Sequence, residues 1–303
     1  MLTDRTLPTT SQVKPVESGK RTHFSKHETR KEILKMDNAE LYEKSNNMQK
    51  HDALSTLEEY ADKINWKSLN ARILDIGSGD GSVTTNILKR FIPQNYKIIV
   101  GCDVSARMVQ FANDNHGDVR THFIQFNIES CPPKELLGSF DHVVSFYTLH
   151  WIKNQKAAFM NIFDLMADDG SCFLIFTGRN PIYDVYRTLS KTSKWAAWLK
   201  DVDRFISPYH ETEDPEKEIT QMLVHIGFRD IDVKRQKKYF VFDNAEDAKS
   251  AVKAVNPFIM PADLYNDFLE DYMAVVRDMR MMDEANNNKS PVKCDYDLII
   301  VHA

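Results

Sequence analysis

The segment Ile73-Leu-Asp-Ile-Gly-Ser-Gly-Asp-Gly-Ser-Val-Thr84 sets an acid, Asp75, near the end of an apolar run and follows it with Gly77, Gly79 and Gly81. An apolar run, alternate glycines and then helix-compatible residues read as a strand, a tight turn and a helix start. The glycines let the chain turn and let a ligand approach the backbone. At the carboxyl edge of a parallel sheet such a loop forms a ligand crevice. A dinucleotide site wants its third glycine three residues after the second. Here position 82 is Ser, and the glycine falls at 81. A carboxylate ahead of the loop repels a pyrophosphate and suits an ammonium. Asp103 closes the next apolar run, where an acid can accept both hydroxyls of a ribose.

This set resembles the first motif and acidic loop of class I methyltransferases. The resemblance implies S-adenosylmethionine as cofactor, held by Asp75, Gly77, Gly79, Gly81, Asp103 and Val104. It also implies that Asn127 and Ile128 face adenine and that Ser145 stands beside the methionine arm. Many relatives carry Asp where this chain has Asn127; an amide keeps an acceptor, so the departure is mild.

The elements that must hold these residues follow from hydrophobic period. Residues 71–76, 97–103, 122–127, 140–145 and 171–177 read as strands, the last after a turn at 168–170. Residues 82–91, 106–115 and 155–165 read as helices. Strands alternating with helices imply right-handed crossovers and a mostly parallel sheet. Two helices are expected over 38–65. Trp195, Trp198, Val202 and Phe205 follow one another at helical spacing, which predicts an amphipathic helix over 188–205. A helix over 215–226 is capped through Asp214-Pro215 and stopped by Gly227. Closing strands are expected over 230–242 and 294–301, with helices at 245–255 and 261–281 between them.

The acceptor side is more particular. The segments Leu41-Tyr-Glu-Lys-Ser-Asn46 with Gln49, Phe140-Asp-His-Val-Val-Ser-Phe-Tyr147, Leu149-His-Trp-Ile152, Asp201-Val-Asp-Arg-Phe-Ile-Ser-Pro-Tyr-His210, Asn256-Pro-Phe258 and Phe268-Leu-Glu-Asp-Tyr272 resemble the insect juvenile hormone acid methyltransferases. The resemblance runs from about Met36 to the end; residues 1–35 lie outside it. It implies methyl transfer from S-adenosylmethionine to the carboxylate of farnesoic acid or juvenile hormone acid, with Gln49 and Trp151 holding that carboxylate.

That pair makes chemical sense. A carboxylic acid with a pKa of about 4 is already ionised at pH 7, so no general base is needed. The site must instead hold an oxygen in line with the methyl group, near ~3 Å, away from water. A cationic anchor would stabilise the ground state, which does not speed the reaction. Neutral N–H donors from Gln and Trp avoid that. By position alone, Trp151 reads equally as a packed core aromatic, and Gln49 as a solvated helix residue. His150 reads as a base, a substrate contact or a structural histidine, and the mechanism leaves no proton to remove. Phe146, Trp195, Trp198, Phe205, Tyr209, Phe258 and Met260 are available to line a long apolar pocket, or to serve as ordinary core. Burying about fifteen carbons at ~0.8 kcal/mol each gives on the order of 10 kcal/mol gross, and ordering removes a large part of it.

Composition narrows the field. An apolar fraction of 42% with 27% charged residues is that of an ordinary globular enzyme, and a net charge of −5 offers no basic field for nucleic acid. No apolar run approaches the roughly 20 residues of a membrane span, and there is no secretory signal core. The four cysteines, Cys102, Cys131, Cys172 and Cys294, have no zinc-like spacing; Cys102 and Cys172, in apolar strand-like runs, read as reduced and buried, and the chain as a cytoplasmic protein. His23 and His27 lack a third ligand, so no metal is expected.

The expectation is a polar, disordered extension over 1–35 and a single α/β domain over 36–303. That domain comprises cap helices over 38–65, a cofactor core over 71–177, and acceptor pocket with closing strands over 178–303. It has a seven-stranded Rossmann-like sheet with helices on both faces. Its helical cap comes from the N-terminal helices and insertions after strands four, five and six. Methyl transfer to another small acid, fatty or dicarboxylic, and terpenoid carriage without turnover are the alternatives. Asp75 and Asp103 would be idle in a carrier.

Overall fold

A computed structural model of the chain describes residues 33–34, 38–282 and 290–303. Of the extension expected over 1–35, the described part is β1 (Ile33–Leu34), which pairs antiparallel with β8 (Met260–Pro261). The remainder of that expectation lies outside the described residues.

Helices α1 (Ala39–Ser45) and α2 (Asn47–Tyr60) precede the sheet, α1 capped by the Asn38 side chain on the amide of Leu41. The strands β2 (Arg72–Ile76), β3 (Ile98–Asp103), β4 (Thr121–Gln125), β5 (Phe140–Phe146) and β6 (Met166–Thr177) run parallel. They alternate with α3 (Ser82–Asn86), α4 (Ala106–His116) and α5 (Gln155–Leu165). The chain then forms α6 (Pro181–Ser190), α7 (Pro215–Ile226), β7 (Asp232–Phe242), α8 (Ala245–Val255), α9 (Ala262–Asp278) and β9 (Val292–His302). The seven strands lie in the order β4-β3-β2-β5-β6-β9-β7, with β9 antiparallel to both neighbours.

Strand alternation explains why both faces are covered. Leu74, Ile76, Val100, Cys102, Leu174 and Phe176 point to one face, where Phe159 and Ile162 of α5 and Ile219 and Leu223 of α7 meet them. Ile73, Ile99, Val144, Phe173 and Ile300 point to the other, against Ala53, Leu57 and Tyr60 of α2. A third core, around Tyr186, Trp195, Phe268 and Met273, fills the cap built by α6, α8 and α9. The cap therefore comes from the stretches after the fifth and sixth strands, joined by α1, which contacts α8. No cap layer follows the fourth strand, because α5 is apolar along the side that faces the sheet and lies there.

The helix expected over 188–205 does not form as one piece. The hydroxyls of Ser190 and Thr192 donate back to the carbonyls of Arg187 and Leu189 and close the last turn of α6. Residues 191–201 run in turns to a short 3-10 turn, Val202–Phe205. Helix α7 begins and ends as its sequence dictates. The Asp214 side chain accepts from Lys217 N, Pro215 occupies the first turn, and Gly227 leaves with φ of 121°.

Candidate active site

The chain leaves β2 on one side for β3 and β4, then returns to β5 on the other side. The crevice at the carboxyl ends of β2 and β5 is thus a topological switch point, where ligands bind in such sheets. A cavity of about 460 Å³ opens there and extends under the cap. Gly77, Gly79, Asp103, Val104, Asn127 and Ile128 line one end.

The glycine loop is pinned to β3, with the amides of Gly77 and Ser78 both donating to the carbonyl of Cys102. Gly77 has φ of 70°, and a Cβ there would overlap the Thr148 side chain, so only glycine fits. The Asp103 carboxylate accepts from the amides of Gly79 (3.1 Å) and Ser105 (2.8 Å), which aims it across the loop mouth. Burial raises its pKa, and those amides oppose the rise. Asp75 is buried beneath the loop. One of its oxygens accepts from Thr84 Oγ1 at 2.6 Å, and the other, Oδ1, has no partner among the described residues. Burial pushes the Asp75 carboxyl up to about 7. Besides burial, the charges of Asp80, Asp103 and Asp75 raise the Tyr42 phenol on the cavity wall, so this end carries a concentrated negative field. That field and the orphaned carboxylate oxygen fit a ligand with an ammonium and a sulfonium, and do not fit a pyrophosphate.

The other expected cofactor residues divide. Asn127 is exposed at the cavity edge, and its carbonyl oxygen accepts from the amide of Glu129 while keeping a second lone pair. Ser145 is fully buried and donates to the carbonyl of Ile76 at 2.8 Å, so it ties β5 to β2 and stays off the cavity wall. Gly81, with φ of 84°, caps α3 where a Cβ would meet the Phe123 ring at 2.8 Å; its role is packing.

On the acceptor side, Gln49 of α2 and Trp151, in a 3-10 turn after β5, line the same cavity. His150 lines it too; burial lowers its pKa to about 3, so its ring is neutral at pH 7, and its buried Nδ1 has no partner among the described residues. The apolar wall consists chiefly of α8 and α9 residues, among them Val252, Val255, Met273 and Val276. The aromatic residues expected there sit elsewhere. Phe146 points into the sheet core against Phe173, because strand alternation turns it away from the mouth. Trp195 is buried in the cap and donates its indole N–H to Asp271 at 2.8 Å. Trp198 is 37% exposed and Phe258 packs edge-on to Tyr186 and Phe205. Sequence reasoning passed over Tyr147, a wall residue with φ of 61°. A tyrosine in left-handed backbone just after a strand carries no sequence signal.

Comparison with known proteins bears on the fold and the family. A family model described as a methyltransferase domain matches residues 74–172. Among solved structures, YcgJ of Bacillus subtilis superposes with a TM-score of 0.54 at 16% identity over 83% of this chain and 97% of its own. A phosphoethanolamine N-methyltransferase of Haemonchus contortus gives 0.52 at 13% identity over 88% and 57%. These likenesses concern the fold. Fold, loop and domain match together define a Rossmann-like S-adenosylmethionine-dependent methyltransferase. The chain is 52% identical over 271 residues to a juvenile hormone acid O-methyltransferase of Bombyx mori, covering 88% of this chain and 97% of that one. It is 38% identical over 275 residues to the Drosophila melanogaster protein of the same name, with coverages of 88% and 92%. The chain belongs to the juvenile hormone acid O-methyltransferase family.

Proposed function

We propose that this chain methylates the carboxylate of a sesquiterpenoid acid, juvenile hormone acid or farnesoic acid, to give the methyl ester. The observation that carries the reading is that two neutral donors, Gln49 and Trp151, share a cavity that is otherwise mostly apolar, in a chain of this family. When bound, S-adenosylmethionine supplies a methyl group activated on a sulfonium. Gly77, Gly79 and Asp103 of the cavity wall would hold it, with the unpaired oxygen of Asp75 beneath the loop and Val104, Asn127 and Ile128 at its adenine end.

Gln49 and Trp151 offer N–H groups to one substrate oxygen and leave the other to attack the methyl carbon. The cofactor would supply that methyl group as an electrophile, its sulfur keeping the C–S electron pair. The acid arrives ionised, so no residue takes a proton. Neutral His150 adds no charge that would hold the carboxylate in its ground state. The α8 and α9 side chains shed water from the terpenoid chain and from the reacting atoms. We place this chemistry in the cytoplasm, a setting in keeping with the free, mostly buried cysteines. No helix among the described residues is long and apolar enough to cross a membrane.

A second reading rests on Arg204, which also lines the cavity and would suit an acid with a second anionic group. A labelled-methyl assay over a panel of sesquiterpenoid, fatty and dicarboxylic acids tests both. The expected result is turnover of the sesquiterpenoid acids alone. Preferred turnover of a dicarboxylate would overturn it.

A further inference from the structure

Asp52 lies one helical turn beyond Gln49 on α2, and its side chain is fully buried. Its carboxylate is a meeting point. Oδ2 accepts from the phenols of Tyr147 (2.5 Å) and Tyr296 (2.7 Å), and Oδ1 lies 3.3 Å from the ammonium of Lys238. These donors come from the end of β5, from β9 and from β7, three separate elements. Lys238 also donates to Ser55 Oγ on the next turn of α2 at 2.9 Å. A helix with apolar residues such as Ala53 and Leu57 on its buried side needs no charge to pack on a sheet, and burying one is costly. What the carboxylate adds is direction, because hydrogen bonds fix the rotation and height of α2 as dispersion contacts do not.

Tyr147 carries that direction to the opposite wall. Its backbone is left-handed, with φ of 61°, a conformation a bulky residue keeps only where the surroundings hold it. Its ring meets His150 edge-on at 5.9 Å, and His150 in turn lies 4.8 Å from the Trp151 ring. One buried carboxylate thus reaches Gln49 through a turn of helix and Trp151 through two rings. We propose that Asp52 is a positioning residue that registers Gln49 against Trp151, and so sets the geometry in which the two donors meet one carboxylate. This inference rests on the functional reading above.

The test is a double-mutant cycle on the full chain, with wild type assayed beside it on the acid panel. Asp52→Asn is expected to lower kcat for the acid by ~10- to 100-fold while the Kd for S-adenosylmethionine stays within about twofold. Added to Gln49→Ala, it should cost less than about threefold more, because both changes disable one function. Losses that multiply, or a cofactor affinity that falls in step with kcat, would make Asp52 a fold-holding residue only and overturn the proposal. Tyr147→Phe leaves Asp52 paired with Tyr296 and Lys238, so the fold is kept. It should still lower kcat by about fivefold or more, and wild-type kcat in that variant would also overturn it. A wild-type protein inactive on every acid would sink the functional reading and this inference with it; an active wild type with multiplying losses sinks this inference alone.

Discussion

The two ends of the cavity are built in different ways. Apart from Tyr42 of α1, the cofactor end comes from one short stretch, 75–79, and the ends of the next two strands. Its hydrogen bonds are largely donated by backbone amides, Gly79 to the Asp103 carboxylate and Gly77 to the Cys102 carbonyl. The acceptor end is gathered from α2, the turn after β5, α6, α8 and α9, spread over most of the chain. Its contacts are side chain to side chain. A backbone-built site tolerates almost no change at its glycines, whereas a side-chain-built site can be retuned one residue at a time. The cofactor end should therefore fail by losing affinity, and the acceptor end by losing turnover.

The sharpest break falls on the loop. Gly77→Ala places a Cβ against Thr148 in left-handed backbone, and S-adenosylmethionine affinity should fall by ~1000-fold or more in calorimetry as the loop is forced off its cradle. Next, Asp103→Ala removes a charged acceptor worth about 1.5–3 kcal/mol, so cofactor Kd should rise ~10- to 150-fold with little change in the Km for the acid. An unchanged Kd would take Asp103 out of the cofactor site.

Across the cavity, Gln49→Ala and Trp151→Phe should each lower kcat/Km by ~10- to 100-fold and leave cofactor Kd alone. Trp151→Phe removes the N–H and keeps most of the ring. Gln49→Arg should bind the acid as well or better yet still lower kcat, since a cation stabilises the carboxylate more than the transition state, where its charge is being consumed. A raised kcat in that variant would show that placement alone limits the rate.

Asp75 gives a smaller and reversible effect. Its carboxyl is raised to about 7 in the free protein, and the ammonium needs the ionised form. Affinity should therefore be weaker below pH 7 and rise through it, by about tenfold between pH 6 and pH 8. Asp75→Asn should flatten that profile; a wild-type affinity constant over the range would show that Asp75 does not meet the ammonium. The smallest effect is expected at Trp198, partly in solvent and off the cavity wall. Trp198→Ala should keep kcat/Km within about twofold, and a large loss would bring that part of the cap back into the acceptor site.

The sheet was legible because it is periodic. Residues 215–226 formed a helix with the bounds that its cap and stop dictated, 245–255 formed the helix expected there, and the strands ended within a few positions of where the apolar runs ended. The glycine loop was legible because the left-handed backbone at Gly77, Gly79 and Gly81 is a local demand that residue type alone meets. The cap was not. Trp195, Trp198 and Phe258 have the residue types of a pocket wall, but which side an aromatic residue presents depends on partners such as Asp271 and Tyr186, far off in the sequence. Ser145 and Phe146, neighbours on β5, turn to opposite sides and neither reaches the cavity wall: Ser145 is spent on the Ile76 carbonyl and Phe146 on the sheet core, pairings set by adjacent strands. Period and spacing act over short distances, so the fold class, the loop and the acids around it could be read from residue order. How α2 stands against the sheet could not, because it is fixed by a carboxylate whose partners Tyr147 and Tyr296 lie 95 and 244 positions away, and such pairing leaves no trace in local pattern.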